Sequence, residues 1–325
     1  MKTKAIIILI LLNSFLFNGC TYLRIFTRNL SDAFTVTPRK VSDIVKDPVK
    51  NDIKLSALWI GHSSVLLQMY DKVVLIDPFL NKRLGGVFTR RVEAGFNIDY
   101  LTKLDAILVS HSHMDHLSFS SLDIIEKKFP NTVLIFPDGA EKYLPYYNFK
   151  LKKINNSTVT KKNPVGIVQN LDSIKITPVF SMHTGGRYAF DTYSWKEEGA
   201  TGYIIQYKDL TVYFPGDTGY DEFAFRTIGN TFKIDLAFIP VGPCRNCDST
   251  GFKYHTSSVE ALKMFSDVRA EYMIPIHYGS IRYFSDENYP LKALKKYLYS
   301  EDSMYSELAD KVLILKQGEQ IIIKK

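Results

Sequence analysis

Three of the chain's seven histidines fall in one hexapeptide, His111-Ser112-His113-Met114-Asp115-His116. Imidazole and carboxylate are the ligands that suit Zn²⁺, with other divalent ions as alternatives. Four such groups in six residues are too many for one tetrahedral ion of ordinary geometry. Alternation along the segment lets His111 and His113 serve one metal, and Asp115 and His116 another. Chance does not readily gather three scarce histidines at one strand end, so a plain solvated loop is a poor account of them.

The elements that must position this segment can be read around it. Asp105–Ser110 is a buried strand feeding directly into the hexapeptide. Other metal-binding side chains recur at similar places. His183 follows a strand at Ile174–Phe180, Asp217 follows Thr211–Phe214, and His277 follows Tyr272–Ile276. Delivering ligands from several strand ends is how sheet proteins assemble sites. Further strands are expected at Leu55–Ile60, Val65–Met69, Lys72–Ile76, Val133–Phe136, Tyr203–Tyr207, Leu236–Pro240, Lys311–Leu315 and Gln320–Ile323. Helices are expected at Ser120–Lys128, 140–147, Ser257–Phe265 and Asn288–Tyr299. The alternation predicts an α/β sandwich with its polar residues at one sheet edge.

The motifs, taken in order, resemble the metallo-β-lactamase superfamily. His111 to His116 matches its HxHxDH signature. Asp77 in Leu75-Ile76-Asp77-Pro78, His183, Gly216-Asp217-Thr218-Gly219, and Pro275-Ile276-His277-Tyr278-Gly279 match the remaining motifs. More narrowly, four stretches resemble the N-acyl-phosphatidylethanolamine-hydrolysing phospholipase D branch, with ascorbate-6-phosphate lactonase-like proteins close by. They are Trp59-Ile60-Gly61-His62-Ser63-Ser64-Val65, Phe214 to Tyr220, Leu236 to Gly242, and Tyr254-His255 with Val259-Glu260-Ala261. Residues 187–200 depart from that branch.

The resemblance implies a four-layer αβ/βα sandwich over residues 52–325, two mixed sheets flanked by helices. It implies two divalent ions, Zn²⁺ first and Mn²⁺ or Fe²⁺ as alternatives. His111, His113 and His183 would hold one, Asp115, His116 and His277 the other, and Asp217 both. Asp77 would brace the hexapeptide from behind, as metal ligands require. Two cations about 3.5–4 Å apart lower the pKa of a shared water toward about 7, making a bridging hydroxide that attacks at neutral pH. Asp115 would orient that nucleophile and pass a proton to the leaving alkoxide. His255 is a further catalytic candidate, and His255 and Arg187 are candidates for holding the substrate, the guanidinium because its fork suits phosphate. His62 is read as a supporting residue. Trp195, Tyr220 and Phe223 are either groove-lining or core.

Residues 1–19 carry Lys2 and Lys4, then an apolar stretch from Ala5 to Phe17. A helix of that length reaches about 20 Å, short of the ~30 Å hydrocarbon layer, which is signal-peptide behaviour. With Gly19-Cys20 at its end, the segment resembles a bacterial lipoprotein signal. It implies lipidation at Cys20, a lead-in over 20–51, and a place in the bacterial cell envelope. Thr21 after the cysteine points to the outer membrane if the source is Gram-negative. Cys244 and Cys247 lack a second pair at zinc-knuckle spacing, and a local disulfide is expected of an exported chain.

The chain has 325 residues, 46% hydrophobic and 23% charged, which excludes a disordered or collagen-like protein. Its net charge of +7 is scattered, and no nucleic-acid partner is expected. The expected function is that of a membrane-anchored metal-dependent hydrolase. A phosphodiesterase acting on a phospholipid or small molecule comes first, and a lactonase or carboxylic ester hydrolase second. A surface lipoprotein whose metals only hold the fold comes third.

Overall fold

The computed structural model describes residues 30–85, 88–187, 191, 199–284 and 286–325. The expected signal segment over residues 1–19, Cys20 and Trp195 lie outside the described residues. Strands β1 (Leu55–Gly61), β2 (Ser64–Met69) and β3 (Lys72–Ile76) form a meander, followed by a short hairpin of β4 (Arg83–Leu84) and β5 (Phe88–Thr89). Then come β6 (Ala106–Leu108), helix α1 (Phe119–Lys128), β7 (Val133–Pro137) and β8 (Lys150–Ile154). The second half holds β9 (Gln169–Leu171), β10 (Ile174–Val179), β11 (Gly202–Tyr207), β12 (Leu210–Phe214) and α2 (Glu222–Thr231). It continues with β13 (Leu236–Pro240), α3 (Ser258–Val268), β14 (Tyr272–Ile276), α4 (Tyr289–Tyr299) and β15 (Gln320–Lys324).

These strands build two mixed sheets, ordered β15-β1-β2-β3-β6-β7-β8 and β14-β13-β12-β11-β10-β9. The parallel pairs, β3–β6–β7–β8 and β12–β13–β14, sit on one side of each sheet. Side chains alternate between the two faces of a strand, and here both faces are apolar. Leu55, Ala57 and Trp59 of β1 point into the core shared with the second sheet. Leu58 and Ile60 point the other way, to a core that includes Leu122 and Ile125 of α1. Val74 and Ile76 of β3 divide from Val73 and Leu75 in the same manner. Phe225 of α2, Leu262 of α3 and Leu294 of α4 join the larger core, and α3 packs between α2 and α4. The result is the helix–sheet–sheet–helix layering expected from the motifs.

Some elements differ from the sequence expectation. Residues 140–147 make only one 3-10 turn, Ala140–Lys142; Pro145 has no N–H with which to extend it. Lys311–Leu315 is not a strand; it carries one bridge, Val312 to Met273. Helix α2 and strands β8 and β9 were not anticipated. Asp221 caps α2 through a bond from the Ala224 N–H. The lead-in lies against the body: residues 30–35 are helical, and the Asp32 carboxylate meets Arg91 at 3.0 Å and Arg282 at 2.7 Å. Cys244 and Cys247 form a disulfide, packed on Ala293 of α4. Among the described residues no helix is long and apolar enough to cross a membrane.

Candidate metal centre

Six segments, three from each sheet, end along one edge of the sandwich. His62 sits in the β1–β2 turn, Asp77 follows β3, and the hexapeptide follows β6. His183 follows β10, Asp217 follows β12 and His277 follows β14. His62, Asp77 and His277 all have positive φ, at 57°, 42° and 65°. That conformation is costly for a side chain with Cβ, and it persists only where the surroundings over-determine it. Here they do. The His277 N–H donates to the His62 carbonyl at 3.0 Å, which also accepts from the Trp59 indole at 2.9 Å. Gly216, at φ 66°, passes so close that a Cβ there would lie 2.8 Å from the Ser110 Cβ. Only glycine lets Asp217 approach the hexapeptide at this point.

Proton positions follow from the partners. Asp77 is fully buried; its Oδ1 accepts from the Ser110 N–H at 2.7 Å, and its Oδ2 from the Ser110 hydroxyl and His116 Nδ1, both at 2.6 Å. With Nδ1 held by Asp77, His116 turns Nε2 inward, 3.2 Å from Asp217 Oδ2. The Ser110 oxygen, having donated to Asp77, accepts from His111 Nδ1 at 3.0 Å. His183 Nδ1 donates to the Tyr254 carbonyl at 2.8 Å. His111 and His183 therefore aim bare Nε2 atoms inward, 2.9 and 3.0 Å from the same atom, His113 Nδ1. At most one proton is available among those three nitrogens, and acceptors so close repel unless a cation lies between them.

A second group overlaps the first. His62, Asp115, His116 and His277 offer atoms within 4.8 Å of one another, as do His111, His116 and Asp217, and His183, Asp217 and His255. Asp217 Oδ2 is 3.0 Å from His277 Nε2 and 3.6 Å from His255 Nδ1. His116 Nε2, His277 Nε2 and Asp217 Oδ1 are buried without hydrogen-bond partners. Buried polar atoms are nearly always paired, so a cluster of orphans in a ligand-rich centre fits cation binding.

Electrostatics agree for the all-histidine group. Burial pushes His111 and His183 well below the usual imidazole range and lowers His113 too. All three are thus held neutral, the form that ligates. Burial takes His62 to about 3 and His255 to about 4. Burial alone would raise Asp115 and Asp217, but His116 and the neighbouring imidazoles outweigh it and hold both well below the usual carboxylate range. Burial opposes charge on His116 too, but there the pull of Asp217, Asp77 and Asp115 prevails and raises it well above its ordinary value, so this imidazole is charged without a cation and a metal at Nε2 would take the place of that proton.

The predicted donors His111, His113, Asp115, His116, His183, Asp217 and His277 thus come together, with Asp77 behind the hexapeptide and His255 half-buried at the rim. Arg187 is engaged with the protein through Nη1. Its Nη1 donates to the Ser112 and Leu117 carbonyls at 3.0 and 2.7 Å, and its guanidinium stacks 3.7 Å over the Phe119 ring. It therefore pins the two ends of the hexapeptide loop. Phe223 is exposed on α2, and the Tyr220 hydroxyl donates to Asp267 of α3. Sequence reasoning missed how close His62 lies: its Nε2 is 2.8 Å from Asp115 Oδ2. It also missed Tyr283, whose hydroxyl donates to that same oxygen at 2.7 Å. The signal available for His62 was its place in a tight turn at a strand end.

The Beta-lactamase superfamily domain matches residues 72–278, which hold the predicted donors with Asp77 and His255, while His62 and Tyr283 lie outside that span. The chain belongs to that family. It is similar to N-acyl-phosphatidylethanolamine-hydrolyzing phospholipase D 1 of Caenorhabditis elegans, 28% identical over 83% of this chain and 74% of the relative. It is also similar to a metal-dependent hydrolase of Saccharolobus solfataricus, 31% identical over 68% of this chain and 83% of the relative. A metallo hydrolase of Ignicoccus hospitalis shares the fold: TM-score 0.58 at 21% identity, covering 82% of this chain and 97% of that one. Membership and donor cluster together make this chain a metal-dependent hydrolase of the metallo-β-lactamase fold.

Proposed function

We propose that the chain is a phosphodiesterase with two metal ions, acting on a phospholipid at a bacterial envelope membrane to which lipidated Cys20 tethers it. The observation that carries this reading is the donor arrangement: an all-histidine group and a mixed group that meet at one shared carboxylate, Asp217. In this reading His111, His113 and His183 hold one ion, Asp115, His116 and His277 the other, and Asp217 both. Zn²⁺ suits this imidazole-rich set best, and Mn²⁺ or Fe²⁺ come next. A divalent pair bound there supplies a water acidic enough to attack at neutral pH and a Lewis acid for the phosphoryl oxygen.

The chain's own side chains do the rest. Asp115, held deprotonated, takes the proton of the attacking water and returns it to the leaving alkoxide. His255, a neutral imidazole at the rim, donates a hydrogen bond to a non-bridging phosphate oxygen. Arg187 and Asp77 keep the hexapeptide in register without touching substrate. The choice of phosphodiester over ester rests on the resemblance to the C. elegans phospholipase, since a nucleophile of this kind attacks carbonyl carbon as well.

The test is hydrolysis by the full chain in detergent, metal-loaded and chelator-stripped. The substrates are bis-p-nitrophenyl phosphate, an N-acyl-phosphatidylethanolamine and a homoserine lactone, with Asp115→Asn alongside. Metal-dependent phosphodiester cleavage lost in the variant is expected. Turnover confined to the lactone would replace this reading with the lactonase one. Full metal occupancy with no turnover at all would favour a binding role.

A further inference from the structure

Asp115 Oδ2 is gripped from two sides by residues far apart in the chain. His62 Nε2 approaches it at 2.8 Å from the β1–β2 turn, and the Tyr283 hydroxyl donates to it at 2.7 Å from the loop after β14. The same oxygen lies 3.8 and 3.9 Å from the inward nitrogens of His116 and His277. Asp115 Oδ1 makes no hydrogen bond among the described residues. A carboxylate free to rotate would exchange its two oxygens. This one cannot do so without breaking both bonds.

Tyr283 is itself immobilised. Its ring packs against a small apolar cluster of Phe79, Leu84 and Ile281. The residue before it, Arg282, donates through Nη2 to both Asp32 oxygens, at 2.9 and 2.7 Å. The rings of His62 and His277 both lie 6.3 Å from that of Tyr283, so the tyrosine forms a wall of the site.

We infer that Tyr283, together with His62, is a positioning residue that fixes the rotation of the Asp115 carboxylate, turning Oδ2 toward the His116–His277 pair and leaving Oδ1 for proton transfer. The inference rests on the metal-centre reading. Partners that orient a metal-ligating carboxylate typically change metal affinity or activity 10- to 100-fold when removed. The loss falls on the Asp115, His116, His277 group and spares the His111, His113, His183 group, whose members Tyr283 does not touch.

The experiment is a Zn²⁺ titration of the chelator-stripped full chain against a chromophoric competitor, with Co²⁺ absorption spectra in parallel. It uses the wild type, Tyr283→Phe, His62→Gln, and Tyr207→Phe as control. Tyr207 loses a comparable hydroxyl–carboxylate bond, to Asp71 at 2.7 Å, at the opposite end of β11. Tyr283→Phe should weaken one of two binding steps about 10- to 100-fold, leave the other within twofold, and alter the Co²⁺ spectrum of the weakened step only. With bis-p-nitrophenyl phosphate it should lower kcat at nearly constant KM and shift the acidic limb of the pH–kcat profile. His62→Gln should weaken the same step, and Tyr207→Phe neither.

Unchanged binding steps and spectra in Tyr283→Phe, at an unfolding temperature equal to wild type, would overturn the inference. Equal weakening of both steps would also do so, because it would mark a general structural role. The titration needs no substrate. A chain that binds two ions yet cleaves no phosphodiester overturns the proposed function and leaves this inference to the titration. A wild type that binds no metal overturns both.

Discussion

Replacing Asp77 by asparagine is a sharp test of the proton logic behind the centre. The carboxylate accepts three bonds: Oδ1 from the Ser110 N–H, and Oδ2 from the Ser110 hydroxyl and His116 Nδ1. An amide keeps one acceptor oxygen and puts an NH₂ in place of the other. If the NH₂ takes the Oδ1 position it faces the Ser110 N–H. That buried donor then goes unsatisfied, at a cost of about 1–3 kcal/mol in stability. If it takes the Oδ2 position it faces His116 Nδ1, and the imidazole must move its proton to Nε2. That nitrogen lies 3.2 Å from Asp217 Oδ2 and then has no lone pair for a metal. The loss on this route is the 10- to 100-fold typical of removing such a partner, or about 1.4–2.8 kcal/mol. The assay measures Zn²⁺ affinity by competition and, separately, thermal unfolding of the metal-free protein. Asp77→Asn should fail in at least one: tenfold weaker metal binding, or a metal-free unfolding temperature lowered by roughly 2–4 °C per kcal/mol. An Asn variant equal to wild type in both would refute the assignment of these protons.

Two further substitutions probe the supports of the loop. Arg187→Ala removes the donor to the Ser112 and Leu117 carbonyls and the stack on Phe119. It should cost about 1–3 kcal/mol of stability by denaturant unfolding and reduce turnover of neutral and phosphate-bearing substrates alike. A loss confined to phosphate-bearing substrates would instead return Arg187 to the substrate. Gly216→Ala places a methyl 2.8 Å from the Ser110 Cβ at a φ of 66°. It should displace Asp217 and lower metal affinity at least tenfold, whereas wild-type affinity would show that the close approach is not needed.

The centre was legible because its ligands announce themselves locally. Three histidines in six residues need no partner elsewhere to be noticed, and the strand before them is a plain apolar run. His183, Asp217 and His277 were readable because each follows a strand of the same kind. What stayed hidden depends on distance through space. Tyr283 and His62 lie far apart in sequence and meet only at Asp115 Oδ2. Arg187 carries a charge that suits a phosphate, and nothing local says that two carbonyls of another loop claim it. Strand β8 was missed because, as an edge strand, it exposes Lys150 and Lys153, and a polar edge hides the strand pattern. The 140–147 helix was overextended because propensity outvoted Pro145.

The central claim is a paired metal centre joined through Asp217. Elemental analysis of metal-saturated, gel-filtered wild type and Asp217→Asn, with thermal unfolding of each, tests it most directly. The account predicts two divalent ions per wild-type chain, and one or fewer in a variant that remains folded, with hydrolysis lost. A folded wild type that retains no metal after saturation, or an Asp217→Asn chain that keeps two ions and full activity, would contradict it.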